Sequence, residues 1–383
     1  MMRLKSLYLS GYKSFAFGPP TRAQDGAWDY GGREASFGDV TVLVGANGAG
    51  KSNVVSFFRM MGYLATGALQ QYIGQAGTAE SILHYGSAVT PRIDAELVFG
   101  GDGNTGIYKL SLSSAAPDTL IFTREQVIWQ REGDPIPYDS VLGSGHRESL
   151  LESNGQEPCR FVHRLLRDCR VYQFHDTSEE AKIRKGGYIE DARYLRSDAG
   201  NLAAYLYALR QSQPAYYDRI VRTIRQVCPQ FQDFELAPSV RNEQYILLNW
   251  REAHRPDYLM GPHQLSDGTL RFMAMATLLL QPPERLPSVI VLDEPELGQH
   301  PAAIAVLTDL IRGVTDRSQV ILATQSPTLV NHFRLDEIRP LEFRDGQSFF
   351  LDLNPEDYRA WLEDYTTGEL WQKDVFGGSP RHG

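Results

Sequence analysis

At 383 residues the chain has room for two or three domains' worth of core, taking roughly 150 residues per domain. Its 42% apolar and 22% charged content excludes a disordered chain, and no apolar run reaches the roughly 18–20 residues of a membrane span. A net charge of −9 argues against a protein that coats nucleic acid with its whole surface.

The opening segment MMRLKSLYLSGYKSF lacks a continuous apolar core and a small-residue cleavage site, so it does not read as a signal peptide and a cytoplasmic location is expected. Residues 3–10 alternate apolar and polar side chains, the pattern of a half-buried strand. Residues 18–38 are rich in Gly, Pro and charge and read as a long excursion. Residues 40–44, VTVLV, form a β-branched run that suits a strand buried on both faces. A glycine-rich turn follows, and residues 53–64 carry helical spacing. Three strands are expected at 93–99, 107–112 and 120–129, then a loop over 133–155. Helices are expected at 161–170, 199–211 and 216–227, and a strand at 242–250. A Ser/Asp start opens a helix at 266–280, residues 289–292 and 319–323 are further buried strands, and 301–312 is a helix. The tail adds strands near 341–344 and 348–353 and a polar helix over 355–365. Glu363, Asp364 and Glu369 there read as a solvated face, and the 58 residues after Gln325 leave no room for an appended nuclease domain. Cys159, Cys169 and Cys228 match no zinc or disulfide spacing and read as reduced thiols.

Three motifs carry chemistry. Gly45-Ala46-Asn47-Gly48-Ala49-Gly50-Lys51-Ser52 matches G-x-x-x-x-G-K-[ST] between a buried strand and a helix. Its glycines let successive N–H groups face phosphate oxygens, and the helix start adds its positive dipole end. Lys51 reaches the β- and γ-phosphates in such a loop, and the Ser52 hydroxyl suits Mg²⁺. The second motif, Val289 to Pro295, is an apolar strand ending in Asp293 and Glu294. Asp293 suits the hydration shell of Mg²⁺ and Glu294 suits a general base. The third, Leu265-Ser266-Asp267-Gly268 at a helix start, is a second anion site or simply a helix cap; alone it does not choose.

In this order the motifs resemble the ABC-type ATPases, in the branch that includes RecF, the structural-maintenance-of-chromosomes (SMC) heads and the OLD family. Tyr12-Lys13-Ser14-Phe15 and the run from Asp293 to Pro301 fit that branch. His175 to Ser178 and Tyr188 to Asp198 are similar to its stand-alone AAA-family ATPases without a Toprim nuclease domain. The resemblance implies an α/β P-loop head with a mostly parallel core sheet, an antiparallel β layer and an inserted helical lobe. The head would comprise residues 1–144 and 236–383, with a basic lobe at 145–235. It implies ATP and Mg²⁺ as cofactors and a homodimer formed on ATP. One subunit's Lys13, Asn47, Gly48, Ala49, Gly50, Lys51, Ser52, Asn53 and Gln325 would contact ATP, and Ser52 and Asp293 would hold Mg²⁺. The partner's Leu265, Ser266, Asp267 and Gly268 would cap that ATP, with residues 297–300 as the D-loop. Such dimers act on DNA or on a separately encoded effector, in DNA repair or antiviral defence, and no membrane is implied.

Two departures qualify that picture. Gln325 stands where the branch usually has His, which points to slow or partner-activated hydrolysis. The Q-loop glutamine is open among Gln70, Gln71 and Gln75. A regulatory ATP-binding scaffold and a transporter ATPase subunit are the rival readings. Residues 160–225 hold 13 Lys/Arg against 8 Asp/Glu. Arg160, Arg164, Arg167 and Arg170 at helical spacing, then Arg184, Lys185, Arg193 and Arg196 among Tyr188 and Tyr194, either track a phosphate backbone or form a solvated face. His163 and His175 read as packing or capping residues.

Overall fold

The computed structural model describes residues 2–18, 21–22, 28–29 and 31–379, so the 18–38 excursion lies partly outside the described residues. The chain forms two compact units, Met1–Arg170 with Ser288–Val291 and Gln319–Gly383, and Val171–Pro287 with Leu292–Ser318. The helix Glu157–Arg167 thus belongs to the first unit, and the rest of the basic segment, from Val171, to the second.

The first unit holds two six-stranded sheets. One is antiparallel, in the order Glu34–Ser36, Arg3–Ser10, Arg92–Gly101, Asn104–Ala115, Thr119–Arg131, Tyr138–Gly143. Its long strands alternate buried and half-exposed residues, so Leu97, Phe99, Tyr108, Leu110 and Phe122 share one buried layer. The last strand falls inside the expected 133–155 loop; as a sheet edge with no fully buried residue it carries no hydrophobic signature.

The other sheet runs Cys169–Tyr172, Val289–Asp293, Gln319–Thr324, Val40–Val44, Ile338–Arg344, Gln347–Phe350. The strands 40–44, 289–293 and 319–324 are buried at every residue, which is why their Val/Ile/Leu runs do not alternate. Val40–Val44 pairs in parallel with Val320–Thr324, so Gly45 and Gln325 leave the sheet from the same edge. The expected helix 161–170 ends at Arg167, because Cys169–Tyr172 is a strand; Arg170 therefore does not share the helix face of Arg160, Arg164 and Arg167.

The second unit is built on the helices Leu202–Ser212, Pro214–Val227, Asp267–Leu280 and Pro301–Gly313. The 267–280 helix is buried from Phe272 to Leu280 without a break, as suits a helix enclosed on all sides. The expected strand 242–250 is two strands, Asn242–Ile246 and Asn249–Glu252, in separate three-stranded sheets. In the tail the expected polar helix is two short 3₁₀ turns, followed by a helix at Thr367–Gln372 that Thr366 and Glu369 cap reciprocally. Cys159, Cys169 and Cys228 are free and buried, and burial pushes the Cys169 thiol up to about 12. Among the described residues no helix is long and apolar enough to cross a membrane.

Candidate functional site

The glycine-rich loop leaves the buried strand Val40–Val44 and enters the helix Lys51–Leu64. Gly48 and Gly50 lie at φ 82° and 112°, where only glycine sits without strain. A Cβ on Gly45 would meet the Leu341 carbonyl oxygen at 2.7 Å, and one on Gly50 the Ser348 Oγ at 2.5 Å. The loop is therefore glycine for conformation and for close packing. Lys51 is buried, and its Nζ donates to the carbonyl oxygens of Gly45 at 2.6 Å and Ala46 at 3.1 Å. Asn47, Gly48 and Ser52 are exposed, while Ala49 and Gly50 are buried. The loop thus offers an ammonium, a serine hydroxyl and a helix start, the set that cradles a phosphate chain.

Ser14 supports this loop, a residue that motif reading passed over in favour of Lys13. Its Oγ accepts from Asn53 Nδ2 at 2.7 Å and from Ser348 Oγ at 2.6 Å, and its carbonyl accepts the Ser348 N–H at 2.8 Å. Asn53, expected on ATP, spends its amide on Ser14. Lys13 sits at φ 48°, and burial beside Arg59 holds its ammonium below the usual lysine range. Tyr12 and Phe15 are fully buried on either side. The tail joins in: the Gly378 carbonyl accepts the Ala46 N–H at 2.8 Å, and Ala46, Asn47 and Ala49 face Leu341, Phe343, Asp374 and Ser379 across a cavity of about 240 Å³.

The strand Val289–Asp293 ends in Asp293, a residue of the second unit that is 5% exposed. Gln173 Nε2 donates to its Oδ2 at 2.9 Å, and His175 Nε2 lies 2.9 Å from its carbonyl oxygen. Gln173 follows directly on the strand Cys169–Tyr172. None of the three glutamines singled out from sequence does this. Gln70 bonds the carbonyls of Leu120 and Arg147, and Gln75 accepts from Tyr63. A tie between residues 120 positions apart leaves no local trace in a sequence. His175 holds the Asp293 backbone and His163 caps the Ala65 carbonyl at 2.7 Å, so both histidines serve local structure.

Glu294 lies at φ 43°, strained backbone for a non-glycine residue and one that turns the chain sharply after the strand. Leu297 in the turn that follows is 39% exposed, and His300 caps the next helix through Ala302 N–H.

At the third motif Ser266 is exposed and caps the helix, accepting the Thr269 N–H at 3.2 Å, a contact worth about 1 kcal/mol. Arg184 donates to the carbonyls of Pro262 (2.5 Å) and Leu265 (3.2 Å) and to Asp267 Oδ1 (2.7 Å), and its hydrogen bond holds the Asp267 carboxyl below the usual range. A Cβ on Gly268 would meet the Gly298 carbonyl oxygen at 2.2 Å, and Gln299 Nε2 donates to the Gly268 carbonyl at 2.9 Å. This glycine is required by contact with the 297–300 turn.

The basic residues divide. Arg160, Arg164 and Arg167 are exposed on one helix face in the first unit. Lys185 and Arg193 are exposed in the second unit, where Lys185 pairs with Glu180, Lys182 with Asp198 and Arg196 with Asp191. Gln325 is exposed at the sheet edge that also carries Gly45.

For Mg²⁺ the donor chemistry fits. Within the second unit the Asp293 carboxylate and the adjoining Gln173 amide supply hard oxygen donors of the kind that ion takes.

Residues 232–331 match the family described as "AAA domain, putative AbiEii toxin, Type IV TA system". No curated protein matches the chain by sequence. Among solved structures the chain is similar to an Smc head bound to the C-winged helix domain of ScpA, with 14% identity and a TM-score of 0.59 over 92% of this chain and 99% of that one. It is also similar to an Smc head with an extended coiled coil bound to the C-terminal domain of ScpA, from Pyrococcus furiosus, with 14% identity and a TM-score of 0.60 over 95% and 99%. At such identity the likeness is one of fold. The chain thus has the fold of the SMC heads, with the AAA match confined to residues 232–331.

Proposed function

We propose that the chain is an Mg²⁺-dependent ATPase that closes on ATP into a homodimer and uses that closure to act on DNA or to control a separately encoded effector. The observation that carries the reading is the end of the acid strand, where Asp293 is held by Gln173 and Glu294 stands in strained backbone beside it. Strain of about 1–3 kcal/mol persists at functional positions. Here it turns the chain directly after Asp293 and so fixes where the Glu294 carboxylate leaves the strand.

In this mechanism the N–H groups of residues 48–52 and the Lys51 ammonium hold the triphosphate. Ser52, Asp293 and Gln173 would hold Mg²⁺, which neutralises phosphate charge when bound. Glu294 orients a water in line with the γ-phosphate and takes its proton. Gln173 serves as the Q-loop glutamine. Ser266 and the N–H groups after Gly268 cap the ATP of the other subunit, and the exposed Leu297 joins that interface. Most of the rate comes from positioning and charge stabilisation. The Smc heads solved with ScpA domains and the toxin–antitoxin description of the matched family support a protein partner, and the exposed Arg164, Arg167, Lys185 and Arg193 support DNA.

Glu294→Gln tests this. Turnover should fall by about 10²–10⁴-fold, the contribution of a general base, while ATP binding persists and light scattering shows an ATP-dependent dimer. A protein that stays monomeric at saturating ATP and still hydrolyses it overturns the proposal. A second reading, a scaffold that binds ATP with scarcely any turnover, draws on Gln325, which donates a hydrogen bond but carries no charge. Single-turnover hydrolysis separates the two, because a scaffold shows an ATP-loaded dimer and no product.

A further inference from the structure

The second unit contains a connection that neither the motifs nor the proposed mechanism uses. Arg271 lies one turn into the helix that Ser266 caps. Its guanidinium reaches two other segments at once. Nε donates to the Phe174 carbonyl at 3.1 Å, and Nη2 to the His175 carbonyl at 2.8 Å and Thr177 Oγ1 at 3.0 Å. Nη1 donates to the Leu297 carbonyl at 3.3 Å.

The first segment begins with Gln173 and His175, which grip the carboxylate and the carbonyl of Asp293. The second follows Glu294. Both are therefore tied to the acid pair, and Arg271 ties both to the serine-capped helix. Gly268 against Gly298, and Gln299 on the Gly268 carbonyl, close the same connection from the other side. A planar fork with five donors can serve such divergent carbonyls, whereas an ammonium on a flexible stem cannot.

We infer that Arg271 is a positioning residue that makes the acid turn and the Ser266 helix of one protomer a single rigid piece. The inference rests on the shared-site dimer proposed above. There, Asp293 and Glu294 face the ATP of their own subunit while Ser266 and Gly268 face the ATP of the other. A rigid piece that touches both nucleotides couples them: filling one site sets the cap over the second. Turnover is then cooperative in ATP, with a Hill coefficient that approaches the number of sites, about two. Arg271 touches no nucleotide in this arrangement, so its loss spares binding to the isolated subunit.

The test is steady-state ATPase activity against ATP concentration for wild type, Arg271→Met and Arg271→Lys, with nucleotide affinity measured by titration of a fluorescent ATP analogue on the Ser266→Arg background, where the blocked cap keeps the subunit monomeric. For Arg271→Met we expect a Hill coefficient near one and kcat lowered about 10- to 100-fold, the cost of displaced catalytic groups. Monomer affinity should stay within about twofold, the sign that ground-state binding is spared. Arg271→Lys, which keeps charge but loses the fork, should fall between. If both variants keep the wild-type Hill coefficient and kcat, or if affinity and thermal stability fall in step with kcat, Arg271 is a packing residue and the inference fails. A wild-type protein that hydrolyses ATP as a monomer sinks the dimer itself, a different result from a cooperative dimer indifferent to Arg271.

Discussion

The phosphate loop of the first unit and the serine-capped helix of the second are both helix starts that present backbone N–H groups, yet they are held in opposite ways. The loop is shaped by its own backbone. Gly48 and Gly50 take left-handed φ, Lys51 folds onto Gly45 and Ala46, and the outside supports are small hydroxyls, Ser14 and Ser348. The helix start is tied to remote segments by long side chains: Arg184 and Gln299 reach in to it, and its own Arg271 reaches out to Leu297. A site built from backbone is preorganised and local, which suits binding. A site built on side-chain ties moves with whatever those ties reach, which suits communication.

The comparison breaks first at Lys51. Lys51→Ala removes the one ammonium of the loop, and charge-assisted hydrogen bonds to phosphate are worth about 1.5–3 kcal/mol each. ATP affinity should drop by at least about 100-fold in a calorimetric titration. A drop of under about threefold would remove the loop from the binding role.

A pair of glycines sharpens the contrast. Gly50→Ala meets both a φ of 112° and the Ser348 hydroxyl, so it should weaken nucleotide binding. Gly268→Ala lies inside a helix, where alanine is intrinsically favoured by about 1 kcal/mol. Its methyl would nonetheless meet the Gly298 carbonyl at 2.2 Å, an overpacking cost of about 1–3 kcal/mol. Turnover and ATP-driven dimerisation should fall about 10- to 100-fold with monomer affinity kept. A Gly268→Ala protein with full activity would show that the close approach to residues 297–300 has no functional weight.

The same contrast explains what the sequence could disclose. The loop, the acid strand and the three fully buried strands are consecutive residues, so their spacing and their unbroken Val/Ile/Leu runs declare them. The α/β architecture follows from those runs together with the alternation over 92–131. Gln173 was missed because its meaning lies in Asp293, 120 positions on, while Gln70 and Gln75 near the loop drew attention and hold local structure. Ser14 was missed because its partners are Asn53 and Ser348. The edge strand 138–143 has too little burial to alternate visibly, and the strand at 169–172 follows so closely on a helix that helical spacing ran on to Arg170.

The smallest effect expected lies at the Arg184–Asp267 pair, and its value is diagnostic. The Arg184 side chain is nearly buried but Asp267 is exposed, so the ion pair is worth about 1 kcal/mol at most after screening. The Asp267 carboxyl is nevertheless held below its usual range, chiefly by the Arg184 hydrogen bond. A carboxyl depressed in the folded state contributes stability above its unfolded value, about 3.9, and loses it as pH falls through the folded one. Asp267→Asn should therefore melt slightly below wild type at pH 7, and the gap should close at pH values under the ordinary carboxylate range. A gap of the same size at both pH values would mean that Asp267 acts through shape alone. Arg184 would then anchor the helix start through the Pro262 and Leu265 carbonyls without help from charge.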